Sequence, residues 1–532
     1  MSLALVHSRA RLGVRAPEVR VEVFMAAGLP QLTIAGLAGT VAREARERVR
    51  AALQASQFEL PGKRITVNVA PAELPKDGAR FDLPIALGLL AAAGQLPLDA
   101  LREVELLGEL SLSGALRPVD GALPAALAAA AAGRALVLPA DSAQEAAHAR
   151  AAVVFGARTL AQVVAHLRGE RPLTRAQADE PDDAANPRPE RDTPDLADVV
   201  GQVQGRRALE IAAAGQHGLR LSGPPGCGKT LLARCLPGLL PPLDAAEAEE
   251  LAVIRSLAAP LRAAGGWPTR RPFRAPMHGA SAVALVGGGG IPRPGELSLA
   301  HHGVLFLDEL PEWDRRSLEA LREPLESGEV RIARAAMQLE FPARPLLVTA
   351  MNPCPCGWAG DPSGRCDCPS EAIARYQSRV SGPLLDRIDL HVALRRVTAS
   401  ELLGTATAEC STTVRARVVA ARGRQQARQG KANALLAAGE LDVALAASAE
   451  ARALLLRAID RLALSARAAH RVQRVARTIA DLAGEAGVGA AAMAEAIAFR
   501  MPLHAPAVAA RATLQAGRNR EPANADGVAG TH

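Results

Sequence analysis

The segment LRLSGPPGCGKT, residues 219–230, sets Gly223, Pro224, Pro225, Gly226, Cys227, Gly228, Lys229 and Thr230 between a short apolar strand and the helix-forming run LLARCL. It satisfies GxxxxGK[ST] in the strand–loop–helix setting that phosphate binding requires. Glycines let backbone N–H groups turn inward around phosphates, and the amino end of the following helix adds partial positive charge. Lys229 is placed to reach β- and γ-phosphates, and the Thr230 hydroxyl to ligate Mg²⁺. The alternative is a glycine turn with a chance lysine, which leaves the flanking strand and helix without a purpose. The expected ligand is a nucleoside triphosphate with Mg²⁺.

A second apolar strand, GVLFL at 303–307, ends in Asp308-Glu309. Four hydrophobic residues followed by two carboxylates describe a buried parallel strand with an acidic tip. Asp308 is expected to hold Mg²⁺, and Glu309 to polarise an attacking water as general base. Solvated acids at a strand end are the plainer reading, but beside a phosphate loop the pair points to hydrolysis. A third strand, PLLVTA at 345–350, ends in Met351-Asn352. There the amide of Asn352 could orient the water; an ordinary turn cap is the alternative.

Ser381-Gly-Pro-Leu-Leu-Asp386-Arg387-Ile-Asp389 presents an arginine between a short helix and a strand. It is suited to face a neighbouring subunit's nucleotide and neutralise transition-state charge. Otherwise Arg387 pairs within its own chain with Asp386 or Asp389. Arg467, Arg471 and Arg474 share a helix face by their spacing. That face either closes over the phosphates or is simply solvated.

Cys354-Pro-Cys356 and Cys366-Asp-Cys368 are joined by a turn-rich loop. Two CxC pairs so placed could set four thiolates around tetrahedral Zn²⁺. Bound zinc in a structural role, free thiols and labile disulfides all stay open. Cys227 and Cys235 are read as passive, and Cys410 has no partner in the pattern.

The elements carrying these residues fall into blocks. Residues 1–168 mix alternating stretches (VRVEVF, KRITVNV, ALVLP) with helical ones, as an α+β domain does. Residues 169–194 are rich in Pro, Asp, Glu and Arg without apolar periodicity and read as a linker. An α/β domain is expected over 195–397, a helical domain over 398–513 and a disordered tail over 514–532. The chain has 532 residues, 49% hydrophobic and 22% charged, which excludes wholesale disorder. Its net charge of +7 permits a nucleic-acid partner. Aromatics at 2%, with one tyrosine, leave any grip on nucleic acid to phosphate contacts rather than base stacking. Arg9 and Arg11 interrupt what a secretory peptide would need as its apolar core, and the longest apolar runs fall short of the roughly 18–20 residues of a membrane span. Seven cysteines, four of them clustered, suit a reducing compartment. A cytoplasmic protein with no membrane partner is expected.

In this order the motifs resemble the AAA+ ATPases of the magnesium-chelatase-like group, and most closely YifB/ComM-type proteins. The resemblance runs through GLPQLTIAGLAGTVAREARERVRAAL, DLADVVGQVQGRRALEIAAAGQHGLRLSGPPGCGKT, RPFRAPMHGAS, GVLFLDEL, LREPLESGEVRIAR, AMNPCPCG, SGPLLDRIDLH and LSARAAHRVQRVARTIADL. It implies an α/β AAA+ P-loop core, an N-terminal α+β domain resembling the Lon-protease fold and the related ribosomal-protein domain, and a C-terminal helical lid. By that resemblance Lys229 and Thr230 are Walker A, Asp308 and Glu309 Walker B, Asn352 sensor 1, Arg387 the trans-acting finger and Arg467 the sensor 2 arginine. The group carries an insertion between Walker A and Walker B, here including the glycine loop Gly287–Gly290, and a hairpin before sensor 1. That hairpin is expected at 330–334 and 338–341, presenting Arg331 and Arg334 to DNA or, alternatively, as a solvated charge pair. Met277 stands where relatives commonly carry a histidine next to His278.

In the first domain Lys76-Asp77-Gly78 is followed by Ala79-Arg80, with Arg80 at the position of the Lon serine, and Asp120–Pro124 holds no lysine. A Ser–Lys dyad is therefore excluded. Arg43, Arg46, Arg48 and Arg50 alternate with acids and read as a solvated helix face. The resemblance implies ATP and Mg²⁺ as cofactors, a homo-hexamer, single-stranded or branched DNA as partner, and branch migration during natural transformation as function. A chelatase-type motor that drives metal insertion, or a protein-remodelling module, is the competing class.

Overall fold

The computed structural model describes residues 2–76, 78–178, 193–259, 266–290, 292–334, 337–362, 364–403 and 408–500. The expected tail, and the end of the helical segment beyond residue 500, lie outside the described residues.

The first part is a seven-stranded sheet. Its strands are β1 (Ser2–Arg9), β2 (Glu18–Ala26), β3 (Gln31–Ala35), β4 (Arg64–Ala70), β5 (Val104–Leu106), β6 (Ala135–Pro139) and β7 (Val154–Ala157). The order is β3-β4-β2-β1-β5-β6-β7. Strands β1, β2 and β4 pair antiparallel and the remaining ladders are parallel. Alternation sets the faces: Val19, Val21, Val23 and Met25 of β2 point inward with Ile65, Val67 and Val69 of β4. The helices Gly39–Ala55 and Asp82–Ala92 cover that face, the second buried along its whole length. Arg48 leaves the solvated face expected of its helix: its Nε donates to the buried Asp82 Oδ2 at 2.7 Å. Arg80 is buried and donates to Asp120 O at 3.0 Å. The segment read as a linker begins later than its composition suggests, because Arg175 still bridges Phe155 and the Ala176 amide donates to Val154 O. Residues 179–192 of it lie outside the described residues.

The second part is a five-stranded sheet built from β8 (Leu219–Ser222), β9 (Phe273–Arg274), β10 (Val304–Leu307), β11 (Leu346–Met351) and β12 (Leu390–Ala393). Its order is β9-β10-β11-β8-β12, parallel throughout. Strands β10 and β11 are buried at every residue, as parallel strands covered on both faces must be. The carboxyl ends of β8, β10 and β11 therefore emerge side by side, carrying the phosphate loop, Asp308-Glu309 and Asn352. Ligands of open α/β sheets bind at this edge.

The helices Ser411–Gln429, Ala449–Leu462, Ala466–Ala483 and Ala490–Ala498 follow. Composition separates this segment from the sheet, but packing does not. Val414, Val418, Val472 and Val475 share one apolar core with Leu209, Leu219, Val348 and Leu390. A buried polar link reinforces the joint: His217 bonds Asp389 Oδ2 through Nδ1 at 2.9 Å and Thr478 Oγ1 through Nε2 at 2.7 Å, while Arg471 Nη1 donates to Asp389 Oδ1 at 2.5 Å. The N-terminal part meets the sheet region where Ala252 and Val253 of the helix Ala245–Ala258 pack with Ala122, Ala125 and Leu138.

Candidate nucleotide-binding site

Strand β8 stops at Ser222, and the chain loops to a helix that starts at Lys229 and runs to Leu239. Gly226 and Gly228 adopt φ of +74° and +91°. Nothing lies within 4 Å of where a Cβ would sit on either. The left-handed backbone, not crowding, is what calls for glycine here. Cys227 is buried between them, its amide donating to Pro224 O.

The loop and the strand tips enclose a cleft of 370 Å³ lined by Pro225, Lys229, Thr230, Asp308, Glu309 and Asn352 among others. Lys229 Nζ donates to Gly223 O at 2.8 Å, Pro224 O at 3.0 Å and Asn352 Oδ1 at 3.0 Å. Burial lowers the Lys229 pKa from its ordinary value, with Cys227, Asp308 and Glu309 acting in the opposite sense. Thr230 Oγ1 donates to Asp308 Oδ2 at 3.1 Å. The Asp308 backbone is itself held, since Trp313 Nε1 donates to its carbonyl at 2.8 Å. Glu309 takes φ of +50°, an uncommon conformation for a residue with a side chain, and its amide donates to Asp308 Oδ1. Motif reasoning passed over one neighbour: His278 Nδ1 lies 3.5 Å from Glu309 Oε2. The signal was available, because RAPMHGAS follows β9 and so ends at the same sheet edge as Asp308. Met277 turns outward and is largely exposed.

Arg387 and Arg467 lie elsewhere. A second cavity of 460 Å³ is lined by Glu319, Arg322, Glu323, Glu326, Ser327 and Arg387. Arg387 pairs with neither Asp386 nor Asp389. Its Nη2 donates to Glu326 Oε2 at 2.5 Å and its Nη1 to Pro383 O at 2.8 Å. Arg467 Nη2 donates to the other oxygen of the same carboxylate at 3.3 Å. The Arg387 hydrogen bond, more than any other influence, holds the Glu326 carboxyl below its usual range. Within one chain Arg467 thus does not close over the cleft at Lys229. Its helix is pinned through Arg471 to Asp389, next to Arg387, and this fixes which way it faces. Arg474, on the same helix, is half-buried rather than solvated.

The expected hairpin forms from Glu329–Arg334 and Met337–Pro342. Arg331 stands opposite Glu340, its Nε 3.4 Å from Oε1, so it takes the charge-pair form. Arg334 pairs with Met337 through the backbone, and its side chain lies outside the described residues. The glycine loop is part of a short ladder in which Gly287 pairs with Pro294 and Gly288 with Arg293. Cys354, Cys356, Cys366 and Cys368 converge directly after Asn352, and no two of them are joined as a disulfide. A second convergence, Glu250 with His301 and His302, satisfies itself: His301 Nδ1 accepts from the Arg344 amide, so Nε2 carries the proton donated to Glu250. No helix among the described residues is long and apolar enough to cross a membrane.

Family models match three stretches of the chain. Residues 195–402 match the family described as magnesium chelatase, subunit ChlI; residues 21–142 match subunit ChlI of Mg-chelatase; residues 408–500 match the ChlI C-terminal family. The chain is 47% identical over 501 residues to competence protein ComM of Haemophilus influenzae, covering 94% of this chain and 98% of that one. It is equally identical to YifB of Escherichia coli, over 94% of this chain and 97% of the relative. The magnesium-chelatase 67 kDa subunit of Heliobacterium mobile is 29% identical over 226 residues, 37% of this chain and 30% of its own. With near-complete coverage at almost half identity, the chain belongs to the ComM/YifB-type family of magnesium-chelatase-like proteins.

Proposed function

We propose that the chain is an ATP-driven ring motor, a homo-hexameric helicase that promotes branch migration of recombination intermediates during natural transformation. One observation carries the motor: a single chain holds a P-loop cleft and, apart from it, a cavity where Arg387 lies on Glu326, which Arg467 also contacts. A finger that cannot reach its own cleft is useful to a neighbour's. Such an arginine is worth about 10³–10⁵ in turnover. The DNA part of the reading is supported by the near-full-length likeness to competence protein ComM. The shorter matches to chelatase subunits favour the metal-insertion class less, since they leave most of this chain without a counterpart.

In this reading the loop amides and Lys229 bind the β- and γ-phosphates, whose oxygens replace the carbonyls that now accept from Nζ. Thr230 and Asp308 offer two hard oxygens 3.1 Å apart and fit Mg²⁺, which ordinarily takes one or two protein oxygens beside phosphates. When bound, the ion neutralises phosphate charge. Glu309 takes the proton of the attacking water, Asn352 orients that water, and His278 holds the Glu309 carboxylate. Arg387 and Arg467 of the adjoining subunit complete the pocket, so hydrolysis alters an interface and moves one subunit against the next. Arg331 and Arg334 would meet the DNA backbone from the hairpin, Arg331 by exchanging Glu340 for a phosphate. Phosphate contacts of this kind weaken with salt, with a log–log slope of about −0.7 for each single-strand phosphate neutralised.

The experiment is ATP hydrolysis measured with and without forked and four-way DNA. Stimulation by DNA, strongest with branched substrates, is expected. Indifference to every DNA, together with stimulation by a protein or porphyrin complex, would transfer the motor to the chelatase or remodelling class.

A further inference from the structure

Asn352 is followed at once by Pro353-Cys354-Pro355-Cys356-Gly357, and Cys366 and Cys368 return to the same point. The Sγ atoms of Cys354 and Cys356 are 3.3 Å apart, those of Cys354 and Cys366 3.8 Å, and those of Cys356 and Cys366 3.7 Å. All four sulfurs lie within 4.8 Å of one another. A disulfide needs sulfurs about 2.05 Å apart. Four thiolates each about 2.3 Å from a tetrahedral Zn²⁺ stand about 3.8 Å from one another. The spacing found here is that of the metal site. Its backbone is shaped accordingly: the Ala359 amide donates to Cys354 Sγ at 3.3 Å, and the Gly357 amide to Cys354 O at 3.0 Å. Outer contacts of this type orient metal ligands.

Gly357 also faces the nucleotide cleft. It adopts φ of +85°, and a Cβ there would lie 2.7 Å from Pro225 Cδ, 2.8 Å from Pro225 Cγ and 3.8 Å from Asn352 Cγ. Pro225 and Asn352 both line the cleft, and Asn352 accepts from Lys229. On the other side Gln377 Nε2 donates to Pro353 O at 2.9 Å. The cysteine turn is therefore wedged between the helix bearing Gln377 and the phosphate loop.

We infer that Cys354, Cys356, Cys366 and Cys368 bind one Zn²⁺, and that the metal holds the Cys354–Gly357 turn against Pro225 so that Asn352 and the phosphate loop keep their register. Each thiol releases its proton to solvent as it ligates. The zinc touches no phosphate; Gly357 and the four cysteines are positioning residues. The metal site stands on the sulfur geometry alone, whereas its coupling to ATP rests on the nucleotide-binding reading given above.

Elemental analysis of the full-length protein, incubated with zinc and desalted, is expected to find one zinc per chain. The Cys354→Ser/Cys366→Ser variant should retain almost none. Co²⁺ in place of zinc should give the visible spectrum of a tetrahedral tetrathiolate, a readout that needs neither ATP nor turnover. Gly357→Ala keeps all four ligands, so it should bind zinc fully while nucleotide turnover falls by about 10–100-fold through misplacement of the loop. Binding of a fluorescent ATP analogue should weaken alongside. Wild-type protein with well below one zinc per chain, or a cobalt spectrum lacking thiolate bands, overturns the metal site. Full zinc in Gly357→Ala with unchanged nucleotide binding and turnover overturns the coupling. A zinc-replete wild-type chain that never binds ATP removes the nucleotide-binding reading and the coupling with it, and leaves the metal site standing.

Discussion

Two variants that are inactive alone should restore each other when mixed. Lys229→Ala removes the ammonium that spans the cleft from Gly223 O to Asn352 and leaves the Arg387–Glu326–Arg467 group intact. Arg387→Ala does the reverse. The two cavities have no lining residue in common, so neither change disturbs the other site directly. Loss of the finger lowers turnover by about 10³–10⁵, which puts that variant below ~0.1% of wild type. In a random equal mixture an interface works only when its cleft comes from an Arg387→Ala chain and its finger from a Lys229→Ala chain. That is half times half, so about a quarter of wild-type turnover should return if each interface acts independently. If finger and cleft belong to one chain, every chain carries a defect and no mixture recovers. The assay is phosphate release across mixing ratios, with a tag on one variant to verify mixed rings. Activity should follow the product of the two fractions and peak at equal amounts. A flat baseline from rings that demonstrably contain both variants would refute the shared pocket.

Three further outcomes can be checked. Glu309→Gln should still bind an ATP analogue while hydrolysis falls by about 10²–10⁴-fold, the usual worth of a general base; normal phosphate release would remove Glu309 from that role. Burial, helped by Arg220 and Arg500, pushes the His391 pKa from 6.5 down to about 3. The unfolded chain therefore takes up a proton below about pH 6.5 that the folded one refuses until about pH 3, and stability should fall steadily as pH drops across that window. Asp389 adds to the loss at the acid end: burial opposes its ionisation, but His217 and Arg471 hold it below the ordinary carboxylate range. Melting temperature measured against pH should slope less in His391→Gln, and equal slopes would contradict the assignment. Asp389→Ala strands His217 and Arg471 in a buried joint and should destabilise the sheet–helix unit by about 3–5 kcal/mol, seen as a lower unfolding midpoint; an unchanged midpoint would mean the joint carries no stability.

Local pattern was enough to bring together the residues of the cleft at Lys229. Glycine at the two left-handed positions, Lys229 and Thr230 at the helix start, and carboxylates ending an all-apolar strand are short-range requirements, legible one motif at a time. The parallel sheet was legible for a similar reason: β10 and β11 are continuous apolar runs, the mark of strands covered on both faces. The hairpin was found within one residue of each observed end, because alternation announces itself locally.

What could not be read is which distant side chains meet. Arg387 chose Glu326, 61 positions away, over the aspartates beside it, since helix and strand directions carry a side chain away from its sequence neighbours. Arg48 found the buried Asp82 instead of water. The helical segment looked separate by composition yet shares a core with the sheet, since helical periodicity says that a face is buried without naming what buries it. Sequence alone determined the chemical inventory and the mix of parallel-sheet strands with a helical C-terminal stretch, which follow from periods and spacings of a few residues. Tertiary structure alone decided that His278 stands by Glu309, that the cysteine turn rests on Pro225, and that Arg387 and Arg467 gather on Glu326. Each of those is a packing choice between residues tens to well over a hundred positions apart in the chain, and only the folded arrangement of strands and helices makes it.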